Sequence, residues 1–142
     1  MCSSDLMFSD ATSFNKPIGG WDVSKVTDMS YMFWHAVRFN QPLGKWDVSC
    51  VTDMTEMFVA ADHFNQPVEQ WDVSNVITMK GMFGSTVDFN QPIGRWNVES
   101  IRDMSHMFLE AVSFDYSLSS WKIHIACNTT GMMENAYVQI VD

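Results

Sequence analysis

Apolar and polar positions along the chain follow one pattern, written again and again at a fixed spacing. Trp21, Trp46, Trp71, Trp96 and Trp121 are each 25 residues apart, and Phe14, Phe39, Phe64, Phe89 and Phe114 keep the same step. Pro17, Pro42, Pro67 and Pro92 keep it too, as do Met29, Met54, Met79 and Met104 and the set Met32, Met57, Met82 and Met107. Periodicity of this length marks a repeat array, in which each unit buries its apolar face against the next. The predicted organisation is a single solenoid domain over residues 1–142, with a partial first unit at 1–17, full units at 18–42, 43–67, 68–92 and 93–117, and a degenerate end unit at 118–142.

Two rhythms alternate inside each unit. In "IGGWDV", Trp21 and Val23 flank Asp22, the period of a strand with one buried face. The counterparts are "LGKWDV", "VEQWDV", "IGRWNV" and "LSSWKI". Next, Met29, Met32, Phe33 and Ala36 fall at i, i+3, i+4 and i+7, one face of a helix, with Thr27 and Asp28 as N-cap candidates. "FNQP" then returns the chain, Phe inward, with Asn15, Asn40, Asn65 and Asn90 satisfying backbone groups at the bend. The expected fold is an α/β repeat, a leucine-rich-repeat-like solenoid with a parallel sheet on one side and short helices on the other. Trp21, Trp46, Trp71 and Trp96 should stack inside, and Asn40, Asn65 and Asn90 should be buried. "AYVQIV" at 136–141 is the expected capping strand at the far end, with Val138 and Ile140 on one face.

The order "I-x-x-W-x-V-x-x-V" followed by "D-M-S-x-M-F-x-x-A-x-x-F" resembles a leucine-rich repeat, with Trp in place of the second leucine of the strand. More narrowly, "FNQPIGxWDVSxVTDMSxMF" resembles the repeats of the BspA-like leucine-rich-repeat family, over residues 4–136. That resemblance implies a protein-binding or adhesive role at a cell surface or outside the cell, and implies no catalytic residues. The chain itself shows no signal peptide, since "MCSSDLMFSD" lacks a basic stretch followed by an apolar one.

Composition narrows the partner. The net charge is −9 with 8 Lys and Arg, which argues against nucleic acid, whose phosphates need cations. No apolar run approaches the roughly 20 residues that span a bilayer. Cys2, Cys50 and Cys127 are odd in number and lack metal-ligand spacing, so they read as free thiols. "NTT" at 128–130 matches a glycosylation acceptor, a weak signal by itself.

Candidate chemistry is sparse. Asp22, Asp47, Asp72 and Asn97 recur one unit apart. They suit either a calcium or cationic-partner site or, more simply, a polar face whose carboxylates bond Ser24, Ser49 and Ser74. Lys122 is placed to relieve that row of like charges. The Met and aromatic stripe reads as core. His35, His63, His106 and His124 occupy different repeat positions, and no nucleophile triad, phosphate loop or zinc motif appears. The expected protein is therefore not an enzyme, with no cofactor and no metal. The expected function is a protein-binding repeat module; the alternative is a structural scaffold subunit. The candidate contact residues are Asp22, Asp47 and Asp72 with neighbouring Lys45 and Arg95, Trp34 on the opposite side, and Met7 and Phe8 at the first unit. Letters that vary between units, such as Gly20, Lys45, Gln70, Arg95 and Ser120, should lie on the exposed surface where a partner reads them. The first unit has the apolar set Met7, Phe8, Ala11 and Phe14 with no strand before it. Its end is expected either to be covered by a partner or to continue a longer array.

Overall fold

A computed structural model describes residues 2–3 and 6–136. The expected capping strand at Val138 and Ile140 lies outside them.

The turn segment of each unit contains the main surprise. The α/β solenoid with a parallel sheet and flanking helices does not form. Among the described residues there is no helix, and the two strands, β1 (Cys2–Ser3) and β2 (Val26–Asp28), are short and pair in parallel. Beyond them, single parallel bridges join Asp28 to Asp53, Asp53 to Thr78, Thr78 to Asp103 and Asp103 to Asn128. The leucine-rich-repeat reading falls with the helices and the sheet.

Backbone hydrogen bonding shows why. A helix sends every N–H back to the carbonyl four residues earlier. Here the donors alternate. Met79, Gly81, Phe83 and Ser85 give their N–H groups to Asp103, Ser105, Met107 and Leu109 of the next unit at 2.7–2.9 Å. Between them, Met82, Gly84 and Thr86 bond back within the unit to Met79, Gly81 and Phe83. Each of these is a three-residue return, the bond of a β-turn. Two positions per unit take positive φ to make the turns: Leu6, Tyr31, Glu56, Gly81, His106 and Gly131 form one column, and Asp10, His35, Ala60, Ser85, Glu110 and Asn135 the other. Most are not glycine, so the conformation is held against its intrinsic cost by the bonds to the adjoining unit.

The side chains predicted to face inward still do so. Met29, Phe33, Ala36 and Phe39 are fully buried, as are their counterparts Met54, Phe58, Ala61 and Phe64. Consecutive turns thus deliver the same inward set as a helix would. Within units, Phe8–Phe14, Phe33–Phe39, Phe58–Phe64, Phe83–Phe89 and Phe108–Phe114 stack at 4.0–4.3 Å between centroids. Between units the two columns continue, as in Phe58–Phe83 at 5.7 Å and Phe64–Phe89 at 6.2 Å. Where Ala recurs, Thr86 is also buried and donates its hydroxyl to the Phe58 carbonyl.

"WDV" is not a strand either, although its alternation holds: Trp46 and Val48 are buried and Asp47 is exposed. The segment is bounded by turns, with Trp46 N–H bonded to Leu43 and Val51 N–H to Val48. Trp46, Trp71, Trp96 and Trp121 pack inside, each donating its indole N–H to the preceding unit, at Ile18, Leu43, Val68 and Ile93, at 3.0–3.1 Å. Trp21 departs from expectation. It is 46% exposed, because no described unit lies on that side to offer the carbonyl or cover the ring.

The asparagine column forms as a ladder. Asn15, Asn40, Asn65 and Asn90 each accept the N–H of the residue one step on, at 2.9–3.1 Å. Gln41, Gln66 and Gln91 add their amides to the same oxygens. The internal members are half-buried rather than buried, because the bend they hold is at the surface. Asn65→Ala removes the acceptor of the Asn90 N–H, while the Gln91 amide keeps the Asn65 backbone carbonyl, and should cost about 1–2 kcal/mol in a denaturant melt. An unchanged melt would reduce the ladder to decoration.

Candidate functional site

Asp28, expected as a helix cap, makes a cap-like bond without a helix. Its Oδ1 accepts the Ser30 N–H at 2.9 Å, and Asp53, Asp103 and Asn128 do the same for Thr55, Ser105 and Thr130. This row is structural. It closes the turn that begins each inward segment, and it is also where neighbouring units bridge.

The outer row is separate. Asp22, Asp47 and Asp72 are exposed, and in each the Oδ1 accepts both the N–H and the hydroxyl of the serine two residues on. Those serine hydroxyl bonds, followed by the backbone ones, hold all three carboxyls below their ordinary range. Their mutual repulsion opposes this weakly, Asp22 acting on Asp47 and Asp47 on Asp72. Asn97 closes the same turn with Glu99, so the turn does not need the charge. Lys122 does not relieve the row; its Nζ lies 3.9 Å from Glu99. Among the described residues, no three His, Cys, Asp or Glu side chains group closely enough to hold a metal ion.

Beside this row runs a proline-floored groove. Pro17, Pro42 and Pro67, with Gly19 and Gly44, line a hollow of about 470 Å³ that also includes Gly20 and Lys45. A second hollow, of about 730 Å³, is lined by Glu69, Gln70, Pro92, Gly94, Arg95, Tyr116 and Ser120. Proline recurs there because its missing N–H is tolerated at the outer bend. Glycine keeps the units close: a Cβ on Gly19 would lie 2.6 Å from the Pro42 carbonyl oxygen. One repeat position that varies between units, Gly20, Lys45, Gln70, Arg95 and Ser120, lines these two hollows. Lys45 and Arg95 therefore belong to the groove, and Asp22, Asp47 and Asp72 flank it rather than line it.

The remaining candidates lie elsewhere. Trp34 is half-buried on the turn side, edge-on to His35 at 5.6 Å. Phe8 is half-buried and stacked on Phe14 and Phe33, whereas Met7 is 53% exposed. Two pairings went unread in the sequence. His35 Nδ1 lies 2.7 Å from Asp10, and His63 Nδ1 lies 3.0 Å from Asp88. Each pair occupies one column in adjacent units, so comparing single columns, rather than seeking one histidine position, would have found them. Both are solvent-exposed and contribute little to stability. Cys50 and Cys127 are free thiols, and burial pushes the Cys127 thiol up, away from reactivity.

Among the described residues, no helix is long and apolar enough to cross a membrane. No curated protein and no solved structure matches the chain. A family model described as "Mycoplasma protein of unknown function, DUF285" matches twice, over residues 2–61 and 41–140. The two overlapping matches support a repeat family, while the narrower BspA-like likeness is not confirmed. The chain, whose repeated units account for both matches, belongs to the DUF285 family.

Proposed function

We propose that this chain is a non-catalytic protein-binding repeat module whose recognition surface is the proline-floored groove. One observation carries the reading: a repeat position whose side chain changes in every unit, Gly20, Lys45, Gln70, Arg95 and Ser120, lines the groove beside a proline that recurs in four units. A surface built this way has a constant floor and a changing set of side chains, which suits an extended polypeptide read one unit at a time. Lys45 and Arg95 supply cationic contacts within the groove, and Asp22, Asp47 and Asp72 supply an anionic border that stays ionised. Charges of both signs at the rim set partner choice and on-rate more than affinity.

The test separates binding from folding. A Lys45→Glu, Arg95→Glu double variant changes two exposed side chains and should leave the thermal melt unchanged. It should lose at least tenfold affinity for a partner recovered with the native protein and identified by mass spectrometry. Asp22→Asn, Asp47→Asn, Asp72→Asn keeps the backbone bond that closes each turn, as Asn97 makes it to the Glu99 N–H, and should weaken the salt dependence of binding. A partner footprint confined to the turn side around Trp34 would overturn the assignment.

A second reading, a scaffold subunit within a larger assembly, is favoured by exposed apolar side chains in the first units. There Leu6, Met7 and Trp21 are 60%, 53% and 46% exposed.

A further inference from the structure

The floor of the groove rules out one way of holding an extended polypeptide, the addition of a strand. An added strand needs a row of backbone N–H and carbonyl groups to pair with. The floor is Pro17, Pro42 and Pro67 in one hollow and Pro92 in the other, and proline has no N–H to give. Glycines crowd the carbonyls of that row: a Cβ on Gly19 or Gly44 would lie 2.6 Å or 3.2 Å from the Pro42 or Pro67 oxygen. A polyproline II segment needs no ladder. Its backbone bonds only to water, and it turns once in three residues.

Spacing points to the same form. Successive units are joined by backbone hydrogen bonds and parallel bridges, so each rises by about 4.8 Å. Lys45 and Arg95 hold one repeat position two units apart, with Gln70 between them, which separates them by about 9.6 Å along the stack. In a polyproline II segment, residues i and i+3 share a face about 9.3 Å apart. In a strand, the residues that share a face are about 6.7 Å or 13.4 Å apart. Only the polyproline II spacing matches the two cations.

Charge sets what those positions carry. Lys45 and Arg95 are exposed, and neither is held by a carboxylate: the ion pairs among the described residues are His35–Asp10, His63–Asp88 and Lys122–Glu99. Gln70, exposed between them, can both donate and accept, which suits the unpaired backbone of a polyproline II segment. Asp22, Asp47 and Asp72 border the groove, and Glu69 lines the hollow that holds Arg95. Residues between the two anchors must therefore carry no negative charge.

We propose, on the footing of that recognition surface, that the bound partner is a polyproline II segment with carboxylates at i and i+3, one meeting Lys45 and the other Arg95. The two residues between them are uncharged and lie over Gln70.

The experiment titrates the isotope-labelled full chain with two capped peptides of one composition, Pro-Glu-Pro-Pro-Glu-Pro and Pro-Glu-Pro-Glu-Pro-Pro, followed by amide shifts. The first should bind about fivefold tighter, the gain from one further exposed ion pair, and should move the Lys45 and Arg95 amides. Lys45→Ala and Arg95→Ala change exposed side chains and should melt as the parent does. Each should abolish the preference, leaving the two peptides equal. Pro-Lys-Pro-Pro-Lys-Pro should leave those amides unmoved. Equal affinities of the parent for the two isomers would overturn the proposal. So would a preference that survives either variant, a lysine peptide that binds the groove as tightly, or no shift with any peptide. The groove itself is tested separately. If a partner recovered with the native protein loses affinity for Lys45→Glu, Arg95→Glu while the isomers bind alike, the recognition surface stands and the polyproline II register alone falls.

Discussion

Trp71→Ala is expected to cost about 3–5 kcal/mol of unfolding free energy, the range for truncating a large buried side chain. The residue is 3% exposed, its ring stacks on Trp96 at 6.4 Å, and its indole N–H bonds the Leu43 carbonyl at 3.0 Å. Alanine therefore opens a cavity and removes the indole bond to the preceding unit, although the Leu43 carbonyl keeps the Trp46 N–H as a donor. Because each unit is held by its neighbours, the loss falls on two junctions at once. Trp21→Ala supplies the control. The same substitution at a half-exposed ring without that bond should cost under about 1 kcal/mol. Denaturant melts of the two variants decide the matter, and equal losses would exclude this account of the tryptophan column.

The Phe83→Ala variant should lose a similar amount, about 3–5 kcal/mol, through a different cause. Phe83 is fully buried and meets Phe89 at 4.0 Å, Phe58 and Phe108 each at 5.7 Å, and Trp96 at 6.4 Å. No hydrogen bond is removed, so the cost is packing and ring contact alone. Phe83→Met should recover most of it, leaving a deficit under about 1.5 kcal/mol, because volume is nearly conserved. The same column already carries methionine at Met133. A methionine variant as unstable as the alanine one would mean that ring stacking, rather than filled volume, holds this column.

What could be read from the chain alone was the spacing and the sidedness. The 25-residue step, the inward tryptophans from Trp46 onward, the Phe and Met interior, the serine-bonded outer aspartates and the exposed variable letters all follow from which side chains avoid water. Burial is a property of position in the repeat, and the repeat is written in the residues. The backbone's route was not legible. Met29, Met32, Phe33 and Ala36 have the spacing of a helix face, yet a run of turns with positive φ at Tyr31 and His35 buries the same four side chains. What decides between the two is where alternate N–H groups find their acceptors. In an isolated segment the helix carbonyl four residues back is the nearest acceptor, and left-handed φ at Tyr31 or Glu56 is disfavoured. In the stack, Tyr31 instead bonds Thr55 and Glu56 bonds Lys80, and each unit fixes the conformation of its neighbour. The groove depends on the same stacking. Pro17, Pro42 and Pro67 are 25 residues apart along the chain, and only the contact between successive units brings them together to line one surface.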